Sequence, residues 1–265
     1  MLIDKNSGVF KNEEYLKEQP AFYVFSEMIT SNEKKFISDG VNYIIGQANK
    51  GYPIWIWTIE NIQAEKMSEI EKILKENYLN PGKNNITCKK ELFEFLVNDN
   101  NYLTDYHEIA FLMCEKLNDI SKSNNGYLDK ANYGDKIPLA NYWIDNCDET
   151  YPDEKLSFEE SLIEVENWLY MDNFYVWRNS LGKPVSMACI YENGNEVKIS
   201  HVFTPKKERK KGYCESLIYE LTKEILEKNK TPLLYTDHNY KISNHTYQKI
   251  GYQEKMVLIN ININM

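Results

Sequence analysis

Residues 204–213 read Thr204-Pro205-Lys206-Lys207-Glu208-Arg209-Lys210-Lys211-Gly212-Tyr213. Between Lys206 and Lys211 stand five basic side chains and one acidic one, a local charge of +4. The 265-residue chain carries −9 in total, so the remainder holds −13. Upstream, Glu196 to Phe203 reads as a strand. Downstream, Tyr213 to Lys228 places Cys214, Leu217, Ile218, Leu221 and Ile225 on one helical face. A cationic loop between strand and helix, turning at Gly212, makes an anion cradle. Glycine permits positive φ and close backbone approach, while the helix start offers N–H groups without intrahelical acceptors and a partial positive charge. Such a cradle suits a pyrophosphate. The competing reading of the same charges is a solvated basic turn.

The surrounding half has the texture of a mixed sheet. Ser157-x-x-Glu160 is a capping box opening a helix with Phe158, Leu162, Val165 and Leu169 along one side. Strands are predicted at Phe174 to Arg178, Pro184 to Glu192 and Glu196 to Phe203, joined through Ser180-Leu181-Gly182 and Asn193-Gly194. An Asn-Gly pair between such runs signals a hairpin. A strand at Leu233 to Thr236 and a short helix near Asn244 to Ile250 come next, the helix closed by Gly251. The tail alternates Ile259-Asn260-Ile261-Asn262-Ile263-Asn264, the period of a strand. Pairing of that tail within the protein's own sheet is simpler than pairing with a second chain.

Arg209-x-x-Gly212-x-Cys214 resembles the R/Q-x-x-G-x-G/A signature of the GNAT acetyltransferase superfamily. Tyr240-x-x-Ser243-Asn244-x-x-Tyr247-x-Lys249-Ile250-Gly251-Tyr252 resembles that family's second motif, and Val202-Phe203-Thr204-Pro205 looks like its fourth strand entering the cofactor loop. The resemblance covers about residues 137–265. It implies an α+β fold with a mixed, mainly antiparallel sheet flanked by helices in the C-terminal half. It also implies transfer of an acetyl group from acetyl-CoA directly to an amine. On this analogy the backbone of Arg209, Lys210, Lys211, Gly212, Tyr213 and Cys214 holds the pyrophosphate, with Arg209 and Lys211 adding charge. Val202, Phe203 and Thr204 receive the pantetheine. Asn244 contacts pantetheine or caps its helix, and Tyr247 protonates the departing thiolate. A phenol with a pKa of about 10 is protonated at neutral pH and can act so. Cys214 departs from the family's Gly or Ala. It is small enough to pack there, and lysines with a helix start could lower its thiol pKa toward a redox role. The general base stays open among Glu192, Glu196, His201, Asp237, His238 and water; a satisfied sheet histidine is the favoured reading of His201.

The first 120 residues read as mainly helical, with one apolar strand candidate at Tyr52 to Trp57, and as a degenerate α/β copy, a substrate cap or an oligomerisation domain. Helices are predicted at Glu13 to Thr30, Ala64 to Leu79, Lys89 to Val97 and His107 to Leu117. No glycine-containing basic loop occurs there. Polar residues from Asn118 to Ile137 suggest a division into 1–120, a linker at 121–136, and an acetyl-CoA-binding domain at 137–265.

Composition excludes several classes. Apolar residues make up 42% and charged residues 27%, ordinary globular usage that argues against disorder. The acidic balance disfavours nucleic-acid binding, and no apolar run is long enough to span a bilayer. Five scattered cysteines without a C-x-x-C pair fit a reducing cytoplasm. They give no disulfide scaffold, and with four histidines and no H-E-x-x-H no metal site is expected. The MLIDKNSGVF start lacks a signal-peptide pattern. Two functions from different classes remain: an acetyl-CoA-dependent N-acetyltransferase acting on a small-molecule or peptide amine, and a non-catalytic acyl-CoA-binding or sensor protein. A nucleotide-binding protein is weaker, since no Gly-x-x-x-x-Gly-Lys-Ser/Thr is present. The acceptor and the oligomeric state are not legible.

Overall fold

The computed structural model describes residues 35–98, 103–120, 126–150 and 155–264, together with Tyr15, Glu18, Tyr23, Val24, Phe25 and Met28. In chain order the elements are β1 (Lys35–Ser38), β2 (Tyr43–Gln47), β3 (Ile54–Thr58), α1 (Ala64–Asn77), β4 (Lys83–Cys88), α2 (Lys90–Asn98) and β5 (Leu103–Met113). Then come β6 (Tyr127–Lys130), α3 (Lys136–Thr150), α4 (Phe158–Tyr170), β7 (Phe174–Arg178), β8 (Pro184–Asn193) and β9 (Glu196–Phe203). The chain ends with α5 (Tyr213–Glu227), β10 (Thr231–Asp237), α6 (Lys241–Ile250) and β11 (Gln253–Asn264). Two compact units result. Unit 1 is Met1–Phe111 with Thr236–Tyr240 and Glu254–Met265; unit 2 is Leu112–Tyr235 with Lys241–Gln253.

Unit 2 is a helix-covered sheet with strand order β10-β9-β8-β7-β6. Strands β6 to β9 are antiparallel, and β10 runs parallel to β9 because α5 carries the chain across between them. One face packs Leu139, Val165 and Trp168 from α3 and α4 onto Phe174, Val176, Met187 and Phe203. The other packs Leu217, Ile218, Leu221 and Ile225 of α5, with Tyr247 and Ile250 of α6, onto Val185, Val197 and Ile199. The alternation of inward residues along β7–β9 is therefore apolar on both sides, as a sheet with helices on both faces requires. The expected capping box is present: Ser157 Oγ accepts from Glu160 N at 3.2 Å, and Glu160 Oε2 accepts from Ser157 N at 2.9 Å. Gly251 sits just after α6 at φ 128, where an added Cβ would come within 2.4 Å of the Lys116 carbonyl oxygen.

A buried ion cluster ties the start of this unit together. Arg178, on β7 and 5% exposed, donates from both terminal nitrogens to Asp135 at 2.7 and 2.8 Å, and from Nε to Asp129 at 2.6 Å. Its guanidinium also reaches the carbonyls of Gly182 and Lys130. Within 121–136, polar enough to read as a linker, the structure thus holds β6 and a 3-10 turn at Tyr133–Asp135, both anchored on this arginine. Residues 121–125 lie outside the described residues.

Unit 1 corrects the mainly helical expectation for the first 120 residues. Its strands lie in the order β1-β2-β3-β4-β11-β5. Helices α1 and α2 fall where the periodicity placed them, burying Met67, Ile70, Leu74, Leu92 and Leu96 on Ile45, Ile54, Ile56 and Ile86. The stretch His107 to Leu117, expected to be helical, instead holds the second half of β5 and a non-helical segment after it. Ala110 to Met113 are buried one after another, and such a short apolar run has no period that separates a covered strand from a helix. The helical reading of Glu13 to Thr30 lies mostly outside the described residues; Tyr23, Val24, Phe25 and Met28 are helical and buried. Strands β1 to β3 are antiparallel and β4 is parallel to β3 across α1, the same succession of pairings as β7, β8, β9 and β10 across α5. Unit 1 therefore has the element order of a second copy, as the degenerate α/β alternative anticipated. Its connection between β3 and α1 is only Ile59-Glu60-Asn61-Ile62-Gln63, with no glycine and no cation.

The last strand closes unit 1. β11 pairs antiparallel with β4, Ile259 opposite Cys88 through Asn264 opposite Lys83. Ile259 and Ile261 enter the core, while the alternate asparagines form a side-chain ladder. Asn85 Nδ2 donates to Asn260 and Asn262 at 2.6 and 3.0 Å, and Asn260 Nδ2 donates to Asn85 and Thr87, both at 2.8 Å. The tail's period of two is thus satisfied inside the chain.

Candidate functional site

The site is built where β9 leaves the sheet. Along β8, Met187 pairs with Phe203 and Cys189 with Ser200, so His201 and Val202 together face the single residue Ala188. This bulge bends the strand and re-aims the groups beyond it. His201 takes φ 53, a left-handed conformation unusual for a non-glycine residue. The parallel ladder to β10 runs from Glu196–Thr231 to Lys198–Leu233, and both strands continue past it. Backbone groups on diverging strands offer donors and acceptors to an inserted chain.

Phe203 and Thr204 are buried, and Val202 is half-buried. Thr204 Oγ1 lies 2.7 Å from Ser186 Oγ, which also donates to the Phe203 carbonyl, so β8 fixes the strand's exit. A 3-10 turn at Lys206–Glu208 comes next. Lys210 has φ 63, and Gly212, at φ 79, is the N-cap of α5. The N–H groups of the first helical turn, from Tyr213, Cys214 and Glu215, project beyond the helix start without intrahelical acceptors. Lys206, Lys207, Lys210, Lys211 and Gly212 are exposed around them. The loop is pinned by its own ion pairs: Lys211 to Glu208 at 2.8 Å, and Arg209 Nη2 to both Glu149 oxygens at 2.8 Å. Arg209 Nε donates to the Thr204 carbonyl at 2.8 Å, and its guanidinium lies 5.4 Å from the Phe203 ring centroid.

The second motif forms α6, tied to the start of α5 by Lys249 and Glu215 at 2.8 Å. Tyr247 is buried, its ring centroid 6.0 Å from that of Tyr252. Burial, with Cys214 and Tyr252 nearby, holds its phenol protonated well above the ordinary tyrosine range. Asn244 is half-buried in the first turn of α6; the helix begins at Lys241, so Asn244 is not its N-cap. At Cys214, burial pushes the thiol up to about 11, and the Thr204 hydrogen bond and the Arg209 charge do not offset that.

The base candidates separate. Glu192 and Glu196 lie at the β8–β9 hairpin, roughly 25 Å from Thr204 by strand rise, and Glu192 is paired with Lys230. Asp237 and His238 belong to unit 1, where His238 Nδ1 meets Glu254 at 3.0 Å. His201 is no satisfied sheet histidine. Its ring centroid lies 4.6 to 5.0 Å from Trp168 and Trp143 and 6.0 Å from Tyr191, with Nδ1 buried and without a hydrogen bond. Burial, then Lys198, lowers its pKa from 6.5 to about 4. A depressed histidine stabilises the fold fully above its unfolded value and loses that contribution as pH falls from 6.5 toward 4. Urea midpoints of a His201→Gln variant are therefore expected to vary less than wild type across that window; parallel profiles would refute this.

Sequence reasoning missed Glu149 and Ser186, which fix Arg209 and Thr204 from distant positions and carry no local motif.

The comparisons bear on this arrangement. Residues 181–259, from just before β8 to the middle of β11, match the family model described as FR47-like protein. An acetyltransferase from the GNAT family of Colwellia psychrerythraea superimposes with a TM-score of 0.60 at 8% identity, covering 100% of this chain and 99% of that one. The chain has a GNAT fold. A GCN5-related N-acetyltransferase from Sphaerobacter thermophilus gives 0.60 at 10% identity, covering 92% of this chain and 87% of that one. A tandem GNAT protein from the clavulanic acid biosynthesis pathway gives 0.58 at 6% identity, covering 99% and 97%. These likenesses extend the GNAT fold over unit 1 as well as unit 2. No curated protein matches the chain. Among the described residues no helix is long and apolar enough to cross a membrane, and no group of three His, Cys, Asp or Glu side chains could hold a metal ion.

Proposed function

We propose that the chain is an N-acetyltransferase that moves an acetyl group from acetyl-CoA to an amine in a ternary complex. The observation that carries this reading is one continuous construction in unit 2: the bulged end of β9, the Thr204–Gly212 loop, the exposed start of α5, and the buried Tyr247 of α6 packed behind it. The residues fit the cofactor. The amides at 212–215 and the lysines of the loop suit its pyrophosphate. The backbone of Val202, Phe203 and Thr204 suits its pantetheine amides.

The co-substrate supplies a thioester, an activated acyl group that an amine attacks without a covalent enzyme intermediate. The protein holds amine and carbonyl together, which removes much of the entropic barrier. Backbone N–H groups at the bulge meet charge developing on the carbonyl oxygen. A carbon–nitrogen bond forms, the carbon–sulfur bond breaks, and the sulfur takes the Tyr247 proton. The proton lost by the amine passes to water, and water returns one to Tyr247, so no net proton is gained or lost. Five free cysteines suit a cytoplasmic setting.

The test is calorimetric titration with acetyl-CoA, then CoA release with a panel of small and peptide amines. Low-micromolar binding with release supports the enzyme. Binding without release from any amine favours a non-catalytic acyl-CoA-binding protein, and no binding by the folded chain removes both. Tyr247→Phe is expected to lower kcat by roughly tenfold to a hundredfold, with the acetyl-CoA Kd nearly unchanged. An unchanged kcat would remove Tyr247 as the acid.

A further inference from the structure

The C-terminal end of α3 is an unfavourable place for negative charge, because helix carbonyls there already carry a partial negative charge. Yet Asp145, Asp148 and Glu149 stand in the last two turns, with no basic residue in the last turn. Asp148 is paired with Lys155 at 2.7 Å. Glu149 is turned onto the cationic loop: both its oxygens meet Arg209 at 2.8 Å, and Lys206 Nζ is 3.8 Å away. On the loop side Arg209 is held by the Thr204 carbonyl and the Phe203 ring. Two cations thus converge on one carboxylate, beside a loop whose geometry suits a larger anion.

We infer that the Glu149 carboxylate occupies an anion subsite formed by Arg209 and Lys206, from which a phosphate group of the bound cofactor displaces it. The identity of that anion rests on the acetyl-CoA reading; the subsite itself rests on the contacts of Glu149. Displacement unties the last turn of α3 from the loop. Helix α3 also carries Tyr142 and Trp143, which flank Phe203 and His201 at the bulge. By reciprocity, anything that holds Glu149 on the loop weakens cofactor binding.

The experiment compares wild type, Glu149→Gln, Glu149→Asp and Asp148→Asn by calorimetric titration with acetyl-CoA and, separately, with inorganic pyrophosphate. Glu149→Gln keeps the side-chain shape and frees Arg209. It is expected to bind acetyl-CoA about threefold to fivefold tighter, the range set by a half-exposed ion pair. Asp148→Asn removes the same charge from the same helix end without freeing Arg209, and its Kd stays within about twofold of wild type, since its own exposed pair contributes little. Equal or weaker binding by Glu149→Gln overturns the inference, because Glu149 would then belong to the completed site. Should the glutamine variant fold poorly, Glu149→Asp decides by the same comparison, with a smaller gain. If no variant binds acetyl-CoA, the acetyltransferase reading fails while the subsite is still judged by pyrophosphate: tighter binding in Glu149→Gln sustains it, and unchanged binding removes it.

Discussion

On the acetyl-CoA reading, Gly212→Trp is expected to bind acetyl-CoA more than about 100-fold more weakly than wild type, a loss that would take the titration below detection. Two costs combine. Gly212 caps α5 at φ 79, a conformation in which a side chain costs on the order of 1–2 kcal/mol. The indole also stands at the exposed mouth of the helix start, over the N–H groups that the pyrophosphate would use. Because Gly212 is on the surface and Leu217, Ile218 and Leu221 remain buried behind it, the thermal midpoint is expected to fall by only a few degrees. Undiminished binding by the variant would move the anion site away from this loop.

The largest effect on stability belongs to Asp135→Ala. Arg178 is buried, and Asp135 supplies two of its hydrogen bonds along with a matched charge. Removing the carboxylate leaves a buried guanidinium partly unpaired, which costs about 3–5 kcal/mol. Asp129 still reaches Nε, so the lower end of that range is expected. Urea unfolding monitored by tryptophan fluorescence checks it, and a loss below about 1 kcal/mol would show the cluster to be replaceable. Burial acts to raise the Asp135 pKa, but the Arg178 and Asn132 hydrogen bonds prevail and lower it below 3.8. A carboxylate with a depressed folded value contributes stability above its unfolded pKa and loses it as pH falls through the folded one. Wild type therefore loses this contribution below about pH 4, and Asp135→Asn, which has no titrating group there, does not.

Legibility in the sequence depended on which interactions are local. The cationic loop with Gly212, the Ser157 capping box and the Asn193-Gly194 hairpin are all written within a few residues, and each is present. The strand at Tyr52 to Trp57 is β3, shifted by a residue or two to Ile54–Thr58. Strand β4 escaped notice because Lys83-Asn84-Asn85 has poor strand propensity; its partners are asparagines about 175 residues away. The apolar run Ala110 to Met113 read as helix for lack of any distinguishing period. At the site, the cradle's backbone could be foreseen. Its ion pairing could not, since Glu149 meets Arg209 across 60 positions of chain, and the bulge at His201 depends on how β8 registers against β9.

The return of β11 to unit 1 also has a consequence for biosynthesis. Unit 1 begins near the N-terminus, yet one of its strands is made from residues 254–264, after all of unit 2 has been translated. Until then β4 presents an unpaired edge to solvent, an exposure that invites association with other chains. Closing a loop of that length slows folding far more than it weakens the product. Unit 2 has most of its strands in sequence and can form while the nascent chain is still growing. Unit 1, although translated first, thus stays incomplete until residues 254–264 are made.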